Sequence, residues 1–321
     1  MLKSVFVTNH HGERYELPLF TPEDSGFLIK NITGFGPVKT SINTSSGALS
    51  PGEFFNSSKI EKRNIVIDLD YYPDSGLIEN QRLEGYQIFE VNTPVDIEFI
   101  TDKNHVITHG WVESHEPTMF SEACGTSISI ICPDPFLYST IEKQVSLSDL
   151  VRTFKFSFKN PDPYDPPYDL TTDPRMEPTL KMGYYDNTSS KTLNNSGNAS
   201  GVGTLIKVTV GVAGLSDFSF TNQTSNQTFR LDDGVINSIV PSGILIHDQI
   251  FINSNRGQKS VILQRGTRST GYTQYNILPA KVFDSDWITL DTGKNLVYYY
   301  CNGGNNTADV SITYTPAFMG V

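Results

Sequence analysis

Apolar and polar residues alternate with a period of two along much of the chain. Ile65, Ile67, Leu69 and Tyr71 take every second place against Val66, Asp68 and Asp70, the pattern of a half-buried strand. Phe154, Phe156 and Phe158 repeat it, as do Ile206, Val208, Val210 and Val212, and then Val310, Ile312 and Tyr314. Shorter runs of the same character cover 3–8, 15–19, 95–100, 106–113, 127–132, 244–252 and 296–301. Turn-forming clusters punctuate them: Asn9-His10-His11-Gly12, Asp74-Ser75-Gly76, Asp102-Lys103-Asn104, Asp232-Asp233-Gly234 and Asn302-Gly303-Gly304. One stretch, 77–89, is rich in Glu, Gln and Arg instead. It places Ile78, Leu83 and Tyr86 near a 3.6-residue period, with Asp74 or Ser75 available as a cap, and predicts one helix. Many short strands and one helix predict a mainly β chain of sandwich or barrel type.

Two shifts in composition mark boundaries. Cys132-Pro133-Asp134-Pro135-Phe136 ends a strongly patterned strand with two prolines, which cannot donate ladder bonds. Six prolines (161, 163, 166, 167, 174 and 178) then fall in the stretch 160–178, which reads as a long extended loop. Because 154–158 looks like a core strand, the boundary is placed near 140, giving domains 1–140 and 141–321. Charge supports the division. The chain has 24 Lys+Arg against 35 Asp+Glu, a net of −11; residues 1–140 hold 9 against 19 and the remainder 15 against 16. An acidic chain lacks the cationic excess that phosphate neutralisation requires, which excludes an electrostatic nucleic-acid binder.

The search for chemistry excludes more than it finds. Cys124, Cys132 and Cys301 have no metal-like spacing and read as small buried residues, although a bridge between Cys124 and Cys132 stays open. No apolar run has signal-peptide or membrane-span length, so a soluble chain without membrane insertion is expected. The nine Asn-x-Ser/Thr sequons read as Asn-rich loops. Gly-x-Ser-x-Gly, phosphate-loop and EF-hand patterns are absent. His105, His109 and His115, with His10 or His11 opposite and Glu113 and Glu116 beside them, offer metal-ligating atoms. On one regular strand, however, 109 and 115 point the same way roughly 20 Å apart and cannot close a site, so no metal is expected. The pairs Asp68/Asp70, Asp96/Glu98 and Asp284/Asp286 share strand faces, as acid/base couples require and as plain solvent-facing alternation also produces; no catalytic residue is assigned. Tyr272, Tyr275, Trp287, Tyr298 and Tyr300 are candidate saccharide platforms or partner contacts, since sugar rings stack on flat aromatic faces. Tyr299 points opposite to Tyr298 and Tyr300, so one of these sets faces inward.

Taken in order, several segments resemble a known family. They are Gly12-Glu13-Arg14-Tyr15-Glu16-Leu17, Ile32-Thr33-Gly34-Phe35-Gly36-Pro37, the strand from Arg63 to Tyr72, Gly110-Trp111-Val112-Glu113-Ser114-His115-Glu116 and Cys132-Pro133-Asp134-Pro135-Phe136. Together they resemble the N-terminal, ring-forming domain of the siphophage distal tail proteins, the hub under the tail tube of phages infecting Gram-positive bacteria. Leu193-Asn194-Asn195-Ser196-Gly197-Asn198, the segment from Asp248 to Ser254 and the closing run from Val310 to Val321 resemble that family's second domain, a galectin-like or carbohydrate-module-like β-sandwich. The resemblance implies a structural virion protein at the distal tail tip and no enzyme. It implies a homohexameric ring around a DNA channel, contacting the tail tube protein and the tail-tip or tail-associated lysin protein. A receptor-binding protein or host cell-wall saccharide at the periphery is also implied, without cofactors or sequence-specific nucleic-acid binding. The acidic half would then face the channel, where it repels DNA phosphate. The alternative is a carbohydrate-binding module or adhesin-like protein that recognises cell-wall saccharide.

Overall fold

A computed structural model describes residues 1–21, 25–47, 51–72, 77–118, 124–147, 150–152, 183–185, 190–212, 214–267, 271–302 and 308–321. The expected strand at 154–158, the proline-rich stretch 160–178 and the capping candidates Asp74 and Ser75 lie outside these residues. The chain is mainly β, with two α-helices among the described residues. It forms two compact units. Unit 1 comprises Met1–Glu142, Ser196–Ser200 and Thr315–Val321, and unit 2 comprises Lys143–Asn195 and Gly201–Tyr314. Residues 315–321, read from sequence as the end of the second half, thus pack with the first unit.

Unit 1 is built on one nine-stranded antiparallel sheet. Its elements are β1 (Leu2–Thr8), β2 (Arg14–Leu17), β3 (Phe27–Thr33), β4 (Thr40–Ser46), β5 (Glu53–Ile60), β6 (Arg63–Tyr71), α1 (Ile78–Ile88), β7 (Pro94–Thr101), β8 (His105–Thr118), β9 (Gly125–Cys132) and β10 (Leu137–Ser139). The main order is β2-β1-β7-β8-β9-β6-β3, and β10 bridges β8 to the C-terminal strand Ala317–Phe318. Alternation decides which face is buried. Val5, Val7, Ile65, Ile67, Leu69, Ile97, Phe99, Ile128 and Ile130 point into the core, each contributing ~1.5–3 kcal/mol on full burial. α1 lies where its Glu/Gln-rich sequence predicts, and it buries Gly85 and Ile88. Leu77 occupies its N-cap position without a side-chain cap bond.

Two local features escape the period-two reading. β4 and β5 pair into a hairpin of their own, apart from the main sheet, and almost every residue in it is exposed. With neither face buried, no hydrophobic alternation marks it. In β8 a bulge falls between Val112 and Ser114, opposite Ile130 and Ser129 of β9. The extra residue reverses the alternation, so His115 turns towards α1 while His109 faces solvent. The expectation that 109 and 115 share a face assumed a regular strand and is corrected by that bulge.

Unit 2 contains a six-stranded antiparallel sheet in the order Lys143–Ser146, Ala308–Tyr314, Leu205–Val210, Gln249–Asn253, Ser260–Thr267, Gly271–Asn276. A four-stranded sheet runs Ser190–Asn195, Gly293–Asn302, Ser216–Asn222, Gln227–Arg230. Ile206 lies opposite Ile252 and Ile312, and Val208 opposite Ile250 and Val310, forming buried cross-strand ladders. In the second sheet Phe220 stands between Tyr299 and Phe229, all three buried. Asp232-Asp233-Gly234, read as a turn, opens a short helix, α2 (Asp233–Ile239), because the Asp232 carboxylate accepts a bond from the Val235 amide. The expected strand at 244–252 begins only at Gln249, since residues 245–248 form a turn closed by the Asp248 carboxylate on the Leu245 amide.

Candidate functional site

The outward face of the unit 1 sheet gathers most of the titratable residues singled out by sequence. Glu98 on β7 accepts a two-pronged contact from Arg14 Nε and Nη2 at 3.1 and 2.9 Å, and His105 Nε2 lies 2.9 Å from it. Burial works against the Glu98 charge, but the Arg14 guanidinium and His105 ring prevail and hold its carboxyl below the usual range. The Arg14 guanidinium also stacks over the Phe6 ring at 3.7 Å. His109 contacts Asp96, Asp68 accepts a bond from Ser127 at 2.7 Å, and Glu113 accepts one from Ser129 at 3.0 Å. These carboxylates therefore act as members of a bonded surface network. Asp284, unlike the strand pairs, sits outside any strand and pairs with Arg230 at 2.9 Å. His115 takes a different role. It packs edge-on against Tyr86 and Phe89, and burial pushes its pKa down.

His10 and His11 occupy the β1–β2 turn, and the residue opposite them is Glu90, just past α1. The turn is held by Asn9, whose side-chain oxygen accepts from the His11 and Glu13 amides at 3.1 and 3.0 Å. Gly12 takes φ +83° there, a left-handed backbone conformation that glycine adopts without strain.

Arg63, at the start of β6, is the largest fully buried side chain among the described residues. Its Nε donates to Pro135 O at 2.9 Å, Nη1 to the carbonyls of Gly34 and Gly36, and Nη2 to Met319 O at 2.7 Å. One guanidinium thus joins the turn after β3, the proline loop after β9 and the C-terminal segment. Burial lowers its pKa. Asn198 reinforces the same junction, its Nδ2 donating to Gly320 O at 3.1 Å while its Oδ1 accepts from the Met319 amide at 2.6 Å.

The five aromatic candidates of unit 2 lie on two strands and one connecting loop. Tyr298 and Tyr300 share the exposed face of Gly293–Asn302, with Tyr299 turned into the core. Tyr272 and Tyr275 lie on Gly271–Asn276, the edge of the six-stranded sheet; Tyr272 is exposed, and the Arg265 guanidinium lies 5.9 Å from the Tyr275 ring. Trp287 is already engaged. Phe229 packs 5.5 Å from it, and the ammonium groups of Lys259 and Lys281 lie 5.5 and 5.9 Å from its ring. The thiols of Cys124, Cys132 and Cys301 are free, and burial pushes Cys301 up to about 11.

No family model matches the chain, and no curated protein matches it in sequence. Among solved structures, it is similar to the SPP1 Dit protein, described as a paradigm of the hub adsorption apparatus in phages that infect Gram-positive hosts. The similarity covers 98% of this chain and 100% of that one, with a TM-score of 0.60 and 13% identity. The chain has the Dit fold. Lower similarity, with a TM-score of 0.47 and 12% identity over the whole of both chains, is found to the phage P2 baseplate in its activated conformation with Ca. Within this fold, the Gly34–Gly36 turn, the start of β6, the Cys132-to-Phe136 loop and the residues around Met319, all among the segments that carried the sequence resemblance, meet at the Arg63 side chain.

Proposed function

We propose that the chain is a structural hub protein of a phage tail, located at the distal tip of the virion and acting without catalysis. In this reading six copies close into a ring. The ring joins the tail tube protein to the tail-tip or tail-associated lysin protein, with unit 2 serving as a galectin-like module for peripheral partners. The observation that carries the reading is the shared fold with the SPP1 hub protein along nearly the whole chain. The β4–β5 hairpin supports self-association. Ile42, Phe54 and Phe55 are 62, 60 and 67% exposed, and a lone two-stranded hairpin is at best marginal in water, so an adjoining subunit gives it a partner. The acidity of unit 1 supports a channel that lets DNA pass without sticking. A second reading, saccharide recognition by unit 2, is favoured by the exposure of Tyr272, Tyr298 and Tyr300.

Electron microscopy and analytical ultracentrifugation of the purified chain test the ring. A six-fold annulus is expected, and exchange of Phe54 and Phe55 for serine should shift the population to monomer while circular dichroism stays unchanged. A chain that stays monomeric at every accessible concentration would overturn the ring, and undisturbed assembly of the double variant would overturn the hairpin's part in it.

A further inference from the structure

We propose that His10, His11 and Glu90 form a binding site for a divalent transition cation of the Zn2+ class. One ligating atom from each residue lies within 4.8 Å of the other two. His10 Nε2 stands 3.5 Å from Glu90 Oε2, long for a hydrogen bond. It is close to the separation of roughly 3.3 Å that two ligands take on a tetrahedral Zn2+ with bonds of about 2.0–2.1 Å. The His10 and His11 ring centroids are 3.7 Å apart, tilted by 42°. A cation on their nitrogens uses a lone pair from each ring, and the Glu90 carboxylate offsets part of its charge.

The supports on both sides are fixed. Besides the Asn9 side-chain bonds, the Asn9 amide donates to Glu13 O and the Gly12 amide to Asn9 O, each at 3.0 Å, closing the turn. Asn9 itself is buried. Glu13, the next carboxylate along, is engaged by Asn9 Nδ2 at 3.0 Å and Tyr15 Oη at 2.8 Å, which leaves Glu90 as the acidic partner of the histidines. On the other side, the Glu90 carbonyl accepts the Thr93 hydroxyl at 2.7 Å, and the Asn92 amide donates to Val112 O at 2.9 Å. Hydrogen bonds thus anchor the loops on both sides of the three residues. Two imidazoles and one carboxylate select Zn2+, Ni2+, Co2+ or Cu2+ over Ca2+ and Mg2+, which prefer oxygen-only shells. All three residues are exposed, so the remaining coordination positions open to water.

Isothermal titration of the full chain, free of any histidine tag and stripped with chelator, with Zn2+ tests the site. One Zn2+ per chain is expected. His10→Ala, His11→Ala and Glu90→Gln should each weaken binding by more than ~10-fold, the scale of loss that even outer-shell changes produce. His105→Ala, which alters an exposed histidine bound to Glu98, should leave binding unchanged. Failure to bind Zn2+ stoichiometrically, or equal affinity in a His10→Ala/His11→Ala double variant, overturns the proposal. Circular dichroism of each variant separates loss of the site from loss of the fold.

Discussion

Unit 1 holds 20 Asp and Glu against 9 Lys and Arg, whereas unit 2 holds 15 of each, so the whole net charge of −11 belongs to the unit built on the nine-stranded sheet. The two units also treat a key arginine differently. Arg63 in unit 1 is fully buried and bonds only to backbone carbonyls. Arg265 in unit 2 is partly exposed and paired with Asp248, Nε to Oδ1 at 2.9 Å and Nη2 to Oδ2 at 2.7 Å, while also reaching the carbonyls of Pro241 and Gly243. Asp248 beside it raises its pKa, where burial lowers that of Arg63. The more acidic unit thus leaves its most buried cation without a bonded carboxylate. Asp68, Asp96, Glu98 and Glu113 stand instead on the outward face of the sheet, and the junction is closed by neutral carbonyl oxygens.

Arg63→Met has the largest expected effect. It orphans carbonyls from three segments at once, with an expected cost of about 3–5 kcal/mol. Segment-resolved hydrogen exchange should show protection lost across the strands of unit 1 and kept in those of unit 2; equal loss in both would abolish the distinction. Asp248→Asn should cost less, about 1–2 kcal/mol in urea unfolding, because Arg265 keeps two carbonyl partners and some contact with water. A cost matching that of Arg63→Met would mean that the two arginines do the same job.

The smallest effect concerns pH. Glu98 ionises more readily in the fold than in the unfolded chain, so its contribution is fully present above the unfolded carboxyl value of ~4.3 and is lost as pH falls through the lower folded value. Glu98→Gln should flatten that acid limb by less than ~1 kcal/mol. Denaturant titrations carried down through the carboxylate range would show it, and an unchanged limb would remove Glu98 from the account.

How much of this was legible in the sequence depended on burial. The strand at 65–71 could be read because every second side chain enters a core, and α1 because nothing else in the chain has its composition. The β4–β5 hairpin could not, since Thr40–Ser46 and Glu53–Ile60 bury neither face. Nor could Arg63, whose partners are main-chain atoms as far as 256 residues away, and which therefore leave no side-chain pattern. His10 and His11 were visible as a turn. The sequence placed Glu113 and Glu116 beside the strand histidines and gave no sign of Glu90, which follows α1 and stands 3.5 Å from His10 only because the fold brings the two turns together.

The Arg63 junction also bears on the order of events during synthesis. Arg63 leaves the ribosome 256 residues before Met319, a delay of roughly 10–50 s at ordinary elongation rates. Throughout that interval its guanidinium lacks one of its three segments, and the strand at Ala317–Phe318 is missing beside β10. A chain cut short by premature termination would carry all the main strands of unit 1 but no closing clasp. Synthesis through Ala317–Met319 thus becomes a condition for a closed unit 1, and any chain cut short before it lacks that clasp.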